Sequence, residues 1–218
     1  MTNSRFENRK YTFTVEGQTE KWYFQWLGEQ IRNCDARIYD ANVKVTVQSN
    51  PESGYKKLNG LTTQELFHVC DVESSAKEDI DRFKQVLLSM KNVTNQKRID
   101  YILGYSNFTF ELWMILHKQE CNHSLTDKKQ YLKYINQAFG EQFENLSQYK
   151  NESCFKRCLS KLTLEDVKQA IVRADALAKN NKLYKKPTHF RGYSFYLDNP
   201  ALSVHEIVKR MIQECIGN

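Results

Sequence analysis

Apolar residues along the chain recur with two different periods, which predict an alternation of strands and helices. Period-two runs rich in β-branched and aromatic residues predict strands at about 10–16, 43–48, 65–70 and 99–105. Helical spacing predicts helices at about 20–31, 74–90 and 110–118. Such alternation is typical of an α/β fold, here with a mostly parallel sheet of about four strands and helices on both faces.

The second half of the chain has a different pattern. Apolar residues keep helical spacing across most of 127–180, and a last helix is predicted over 203–215, after Asn199-Pro200. We therefore interpret residues 1–120 as an α/β domain and residues 121–218 as a helical, basic extension that packs on it as one compact unit. Residues 49–64 are rich in turn-forming types and predict an irregular connection.

The composition excludes several classes of protein. Of the 218 residues, 40% are hydrophobic and 27% charged, with 8 Gly and 3 Pro, which is ordinary for a globular chain. No apolar run approaches the roughly 18 residues that span a bilayer, and the polar N-terminus has no signal-peptide core. The six Cys form no CxxC pair. We therefore expect a soluble cytoplasmic protein with free thiols and no membrane partner.

Positive charge is concentrated in one part of the chain. The formal net charge is +6, but 150–191 alone holds eleven Lys or Arg against four Asp or Glu. The candidate nucleic-acid-binding residues in or near this segment are Lys156, Arg157, Lys182, Lys185, Lys186 and Arg191. Aromatic residues, including Tyr184 and Phe190, are interleaved with them. Cations for phosphates and rings for base stacking suit nucleic acid, although a solvated helical surface has the same composition.

Acidic residues follow the predicted strands. Glu16 closes the first strand, and Asp71 and Glu73 follow the third. The carboxyl ends of parallel strands lie at one edge of a sheet, where ligands bind. Three carboxylates there repel one another unless a hard divalent cation neutralises them, so the pattern predicts Mg²⁺ or Mn²⁺ held by these three residues. The alternative is structural: Glu16 is a turn residue and Asp71 a helix cap.

Glu111 is a further candidate catalytic residue. It comes one turn after the fourth predicted strand, close enough to the strand ends to reach a metal. The competing interpretation is a buried carboxylate held by hydrogen bonds, because a buried charge must be paired.

Three segments of the sequence resemble one known family. Residues 15–24 (VEGQTEKWYF) look like the "EGxTExxYF" opening of the RloB-like family. Residues 106–117 (SNFTFELWMILH) resemble its "SNPxFELWLLLH" segment, with Phe108 in place of the Pro. Residues 198–204 (DNPALSV) are similar to its closing "NPsTxV" segment. The three matches keep their order and span nearly the whole chain.

The resemblance implies a Toprim-like fold and a role among bacterial restriction and abortive-infection genes, often near an ATPase. Toprim domains use a Glu after the first strand and a DxD after the third, with Mg²⁺, for phosphodiester chemistry. Glu16 matches that Glu, Asp71 matches the first Asp, and Glu73 stands in place of the second.

These observations lead to two functional hypotheses. The first is a metal-dependent endonuclease in anti-phage defence, cleaving DNA or RNA, with Glu16 as general base or acid and Asp71 and Glu73 holding the ion. The basic segment is then expected on the same side of the molecule as Glu16 and Asp71, to attract the substrate. The second is a non-catalytic regulator that binds nucleic acid or a partner ATPase. A homo-oligomer is left open.

Overall fold

A five-stranded, mostly parallel sheet forms the centre of the protein, in a computed structural model that describes residues 6–57, 65–97 and 99–217. The strands of the chain are β1 (Asn8–Val15), β2 (Asp40–Val47), β3 (Glu65–Asp71), β4 (Asp100–Asn107), β5 (Thr188–Phe190), β6 (Tyr193–Phe195) and β7 (Ala201–Leu202). The central sheet has the order β2-β1-β3-β4-β7, in which the first four strands are parallel and β7 is antiparallel to β4. Strands β5 and β6 form a separate antiparallel hairpin.

Helices cover both faces of this sheet. They are α1 (Gln18–Arg32), α2 (Pro51–Lys57), α3 (Lys77–Lys97), α4 (Glu111–Leu116), α5 (Tyr131–Phe139), α6 (Leu146–Tyr149), α7 (Glu152–Leu159), α8 (Leu164–Tyr184) and α9 (Val204–Ile216), with a 3-10 turn at Lys128–Gln130. A capping box begins α8, the longest helix of the second half, because Thr163 and Asp166 cap it reciprocally. No helix in the described ranges is long and apolar enough to cross a bilayer.

The period of two in β3 divides the core into two layers. Phe67 and Val69 point into the larger core, which contains α1, α4 and α9, whereas Leu66 and Cys70 point into a smaller core against α3. All four side chains are buried, because successive residues of a strand face opposite sides of the sheet. Because both faces of β3 are buried, its sequence is a nearly continuous apolar run.

The predicted α/β class, the mostly parallel sheet and the helical C-terminal part are confirmed. The irregular connection predicted for 49–64 is wrong over Pro51–Lys57, which is helical, and residues 58–64 lie outside the described part of the chain. Pro51 suits the first helical position because its missing N–H needs no partner there. Gly54 lets α2 lie close to β1, since a Cβ at this position would come within 2.6 Å of Thr14.

The end of the predicted helical extension returns to the sheet. β7 pairs with β4 through Ser106 and Asn107, and the side chain of Ser203 bonds the backbone of β4. Asn199 fixes the approach to β7, because its amide exchanges two 2.7 Å hydrogen bonds with the backbone of Leu125. The last of the three family-like segments therefore holds the sheet together, at the edge opposite β2.

Candidate functional site

Glu16 and Asp71 meet at the carboxyl ends of two neighbouring strands. Glu16 is the first residue after β1, and Asp71 is the last residue of β3. Val15 is in register with Val69, so the two acidic residues lie at nearly the same height on adjacent strands. The backbone N–H of Asp71 donates to Oε2 of Glu16 at 3.0 Å. Both residues line a cavity of about 290 Å³ above this edge of the sheet.

Glu20 brings a third carboxylate to the same cavity. It lies in the first turn of α1 and is 5% exposed, and its Oε2 accepts a 2.9 Å hydrogen bond from the Thr19 hydroxyl. Gly17, between β1 and α1, leaves room for it: a Cβ on Gly17 would come within 2.7 Å of Oε2 of Glu20. The short β1–α1 connection thus places Glu16 and Glu20 together.

Glu111 is fixed beneath the cavity by two partners. It is the first residue of α4 and 1% exposed, and it accepts a short hydrogen bond from the hydroxyl of Thr109. The ammonium of Lys150 lies 3.1 Å from Oε1 of Glu111. Lys150 directly follows α6 and itself lines the cavity. The neighbouring Tyr149 is fully buried, which anchors this part of the backbone.

Glu73 stands at the rim rather than in the interior. Its backbone has a φ of 71°, a left-handed conformation that is uncommon for residues other than Gly, Asn and Asp. The backbone N–H of Glu73 donates to the carbonyl of Phe108 at 2.9 Å, which ties the turn after β3 to the segment after β4. The side chain lines the cavity, is 37% exposed and forms an ion pair with Lys128.

The environment opposes negative charge on three of these carboxyl groups. Burial raises the pKa of Glu16 to about 7, assisted by the charges of Glu20 and Glu73 and opposed by the Asp71 N–H. Burial, then the charges of Glu20 and Glu16, raise the pKa of Asp71 well above its ordinary range. Burial likewise raises the pKa of Glu20. In addition, Oδ1 of Asp71 is buried and accepts no hydrogen bond from the residues that the structure describes.

Lys150 supplies positive charge inside this acidic cluster. Burial lowers the pKa of its ammonium, but the carboxylates of Glu111, Asp71 and Glu20 outweigh that effect and raise it above the ordinary value. Lys150 therefore remains charged and partly neutralises the cluster.

The donor atoms suit a hard divalent cation, but they are not assembled around one point. The side chains of Glu16, Glu20 and Asp71 offer carboxylate oxygens, the ligands preferred by Mg²⁺ and Mn²⁺, and Oδ1 of Asp71 has no hydrogen-bond partner in the described part of the chain. Within the described ranges, however, no three His, Cys, Asp or Glu residues are placed to hold an ion. Their oxygens must come closer together before they can coordinate one ion.

A match to a family model identifies the protein family to which this chain belongs. The family model described as RloB-like protein matches residues 11–211. The chain belongs to the RloB-like family. No curated protein and no solved structure matches it.

In this RloB-like protein, three predicted nucleic-acid-binding residues have partners within the chain. Lys156 forms an i,i+4 ion pair with Glu152, and Arg157 forms a bidentate pair with Glu141. The ammonium of Lys185 donates to the carbonyls of 198–200 at 3.0 to 3.4 Å. Lys185 thereby supports the backbone that leads to β7.

The other three basic residues lie around the end of α8 and the β5–β6 hairpin. Lys182 is in the last turn of α8, Lys186 follows the helix, and Arg191 occupies the hairpin turn with a φ of 53°. The Arg191 guanidinium lies 5.8 Å from the centre of the Phe190 ring.

The hairpin contacts the end of the sheet that is remote from Glu16 and Asp71. The hydroxyl of Tyr193, next to the hairpin turn, donates to the carbonyl of Tyr101, near the start of β4. Asp71 is in register with Ser106, near the end of β4. Five residues of parallel strand correspond to about 16 Å. The structure therefore does not bring the hairpin turn beside the carboxylates.

Sequence reasoning missed two residues of the cavity, Glu20 and Lys150. Glu20 lies in the family-like segment 15–24, where the spacing of apolar residues predicts only the start of a helix, although an acidic residue three positions after the Gly17 turn is a usable signal. Lys150 was counted only as a member of the basic segment. Nothing in the local sequence distinguishes it from the other lysines there.

Proposed function

We propose that this RloB-like protein is a Toprim-like, metal-dependent nuclease that hydrolyses phosphodiester bonds of DNA or RNA in anti-phage defence. One observation carries the proposal: Glu16, Glu20 and Asp71 converge on one cavity in which burial disfavours their charge. Strongly shifted carboxyl groups that line a cavity at strand ends are characteristic of functional sites.

Stability alone does not account for this arrangement. Burying several carboxylates near one another costs free energy, and Lys150 compensates only one charge. A bound divalent cation would invert the local electrostatics and favour the ionised forms. Glu16, Glu20 and Asp71 are the residues that would hold it, with Glu73 at the rim. When bound, Mg²⁺ or Mn²⁺ polarises a phosphate and stabilises negative charge in the transition state.

Glu16 and Lys150 have separate roles in this proposal. Glu16 is the candidate general base or acid for the attacking water or the leaving oxygen, and a bound cation favours its ionised form, which is the form that accepts a proton. Lys150 is a charged donor in the cavity, and in this proposal its role is to bind a non-bridging phosphate oxygen.

The test is cleavage of single-stranded and duplex DNA and RNA with Mg²⁺ or Mn²⁺. We expect Glu16→Gln to reduce cleavage by about 10² to 10⁴, the usual range for a catalytic proton-transfer group. Asp71→Asn should also reduce cleavage, because it removes one carboxylate ligand of the cation. Glu52→Gln is the matched control, because Glu52 is half-exposed and forms an ion pair with the exposed Lys56. Full cleavage by Glu16→Gln, or cleavage that EDTA does not affect, would contradict the proposal.

A second candidate function is a non-catalytic protein that binds nucleic acid or a partner ATPase. It is favoured by the ion pairs of Glu111 with Lys150 and of Glu73 with Lys128, which already compensate two carboxylates. The absence of a preassembled three-ligand cluster in the described ranges points the same way. A Mn²⁺ titration monitored by electron paramagnetic resonance discriminates the two. Binding in the presence of a non-cleavable nucleic acid supports the nuclease, and no binding supports the second candidate.

A further inference from the structure

A second, larger cavity lies between helices α1 and α7. Its volume is about 520 Å³, which is within the range of small-molecule and nucleotide sites. Two half-buried indoles of α1, Trp22 and Trp26, line it one helical turn apart. Arg32 and Lys156 contribute positive charge, and Glu29 is the one acidic residue in its lining among the described residues. We call this cavity the tryptophan groove.

The two indoles are held in place but are not covered. Trp22 packs against Phe155 of α7 with 5.9 Å between ring centres, and Trp26 packs against Tyr23 with 5.7 Å. The third tryptophan, Trp113, is fully buried in the core. Large aromatic rings that are rigid and half-exposed in a cavity are suited to stacking against a planar ligand.

The cations of the groove are available to an anionic ligand. Among the described residues Lys156 pairs with Glu152 alone, and more than half of each side chain is exposed, so this ion pair contributes little and a phosphate can replace it. The guanidinium of Arg32 is fixed by a 2.7 Å hydrogen bond from Nη1 to the carbonyl of Ala41. The groove thus combines rings with positive charge, the combination that binds single-stranded nucleic acid.

Both walls of the tryptophan groove begin at the carboxylate cavity. Helix α1 starts beside Glu16 and carries Glu20, and α7 starts two residues after Lys150. The axial rise from Glu20 to Trp26 is about 9 Å at 1.5 Å per residue, and the two side chains leave the helix about 120° apart because six residues turn it by about 600°. A strand that joins the two cavities therefore passes around α1 and spans at least about three nucleotides at 3.4 Å each.

We propose that the tryptophan groove binds an unpaired base of the nucleic acid whose phosphodiester occupies the carboxylate cavity. The inference rests on the proposed function and extends it to a substrate class, single-stranded or locally unpaired nucleic acid. A base in a duplex is stacked on both sides and cannot lie against these indoles without leaving the helix. Duplex substrates therefore bind more weakly than single strands.

The experiment uses the tryptophan fluorescence of the full chain in EDTA, where cleavage does not occur. Oligo(dT) and oligo(U) of twelve nucleotides and a duplex of the same length are the probes. We expect quenching by the single strands, with at least tenfold weaker binding of the duplex. Trp26→Ala is expected to weaken single-strand binding about 5- to 150-fold, as for the loss of one stacked base. Lys156→Gln is expected to lower the log–log salt slope by about one.

Tyr184→Ala is the matched control, since Tyr184 is a 78% exposed aromatic residue in the basic segment. If Tyr184→Ala weakens binding and Trp26→Ala does not, the groove is not the base site. Equal binding of duplex and single strand also overturns the inference. So does self-association of the wild type, seen in sedimentation and lost in Trp26→Ala, because the groove is then a protein contact.

The two proposals fail separately. If cleavage depends on Glu16, and Trp26→Ala changes neither cleavage nor binding, the proposed base site is refuted and the proposed nuclease activity is supported. Single-strand binding that depends on Trp26, without cleavage under any metal, supports the groove and removes the nuclease.

Discussion

Replacing Glu16 with Gln is expected to stabilise the folded protein above neutral pH. The folded state holds this carboxylate where burial, and then the charges of Glu20 and Glu73, oppose ionisation, so its pKa rises from 4.5 to about 7. Gln has nearly the same shape, cannot ionise, and keeps an oxygen that can accept the hydrogen bond from the Asp71 N–H. The substitution therefore removes the cost of the charge and little else.

The sign and size of the effect follow from linkage between protonation and folding. Because the folded pKa lies above the unfolded pKa, the folded state binds the Glu16 proton more tightly. The stability associated with that proton is fully present below about pH 4.5 and is lost as the pH rises through about 7. One pKa unit corresponds to about 1.4 kcal/mol, so the free energy of unfolding should differ by about 3 kcal/mol at pH 8.

Urea unfolding in EDTA between pH 5 and 8.5 measures this difference, with equal m-values as the condition for comparing midpoints. The unfolding free energy of Glu16→Gln should exceed that of the wild type by about 3 kcal/mol at pH 8, and by much less at pH 5. The control Glu52→Gln, at an exposed i,i+4 pair, should follow the wild-type pH dependence. A Glu16→Gln protein that is less stable than the wild type at pH 8, or whose pH profile runs parallel to it, would refute the reasoning.

Two further predictions concern lysines with different partners. Lys150→Met should lower the free energy of unfolding at pH 7 by about 2 to 3 kcal/mol, because the ion pair with the buried Glu111 at 3.1 Å is lost. The loss should not be larger, since the lysine side chain is 43% exposed and solvent screens part of the interaction. Urea midpoints test this against the exposed Lys156→Met, which should change stability by less than about 1 kcal/mol, and equal midpoints for the two variants would contradict it. Lys185→Met should cost about 1 to 3 kcal/mol, because three carbonyls lose a charged donor, and should leave the salt slope of nucleic-acid binding unchanged. A slope reduced by about one would instead show that Lys185 contacts a phosphate.

The sequence predicted the sheet and its acidic edge because both depend on local patterns. The two-residue period of strands such as β3 follows from side chains alternating between two buried faces, and it is visible in the residues themselves. Parallel strands place their carboxyl ends at one edge, so the approach of Glu16 to Asp71 followed from their positions after β1 and β3.

Predictions from the local sequence were wrong or incomplete where tertiary packing determined the conformation or the position of a segment. The turn-rich composition around Pro51–Lys57 indicated a loop, yet this segment is helical and lies against β1 through Gly54. The two-residue strand β7 is too short to show any period, and it exists because β4 offers it an edge. The basic segment looked continuous in sequence, but its members divide between ion pairs, backbone carbonyls and a hairpin remote from Glu16.

By itself the sequence determined the α/β layers, the family and three of the acidic residues at the sheet edge, Glu16, Asp71 and Glu73, because each of these depends on residue types at short spacing. Only the tertiary structure decided that Glu20 joins the cluster of carboxylates and that Lys150 lines the same cavity. It also decided that Trp22 and Trp26 remain half-exposed beside Lys156. Burial and charge act through space, and chain segments far apart in sequence supply the neighbours that set them. A lysine that pairs with a buried carboxylate therefore looks the same in sequence as one that faces solvent.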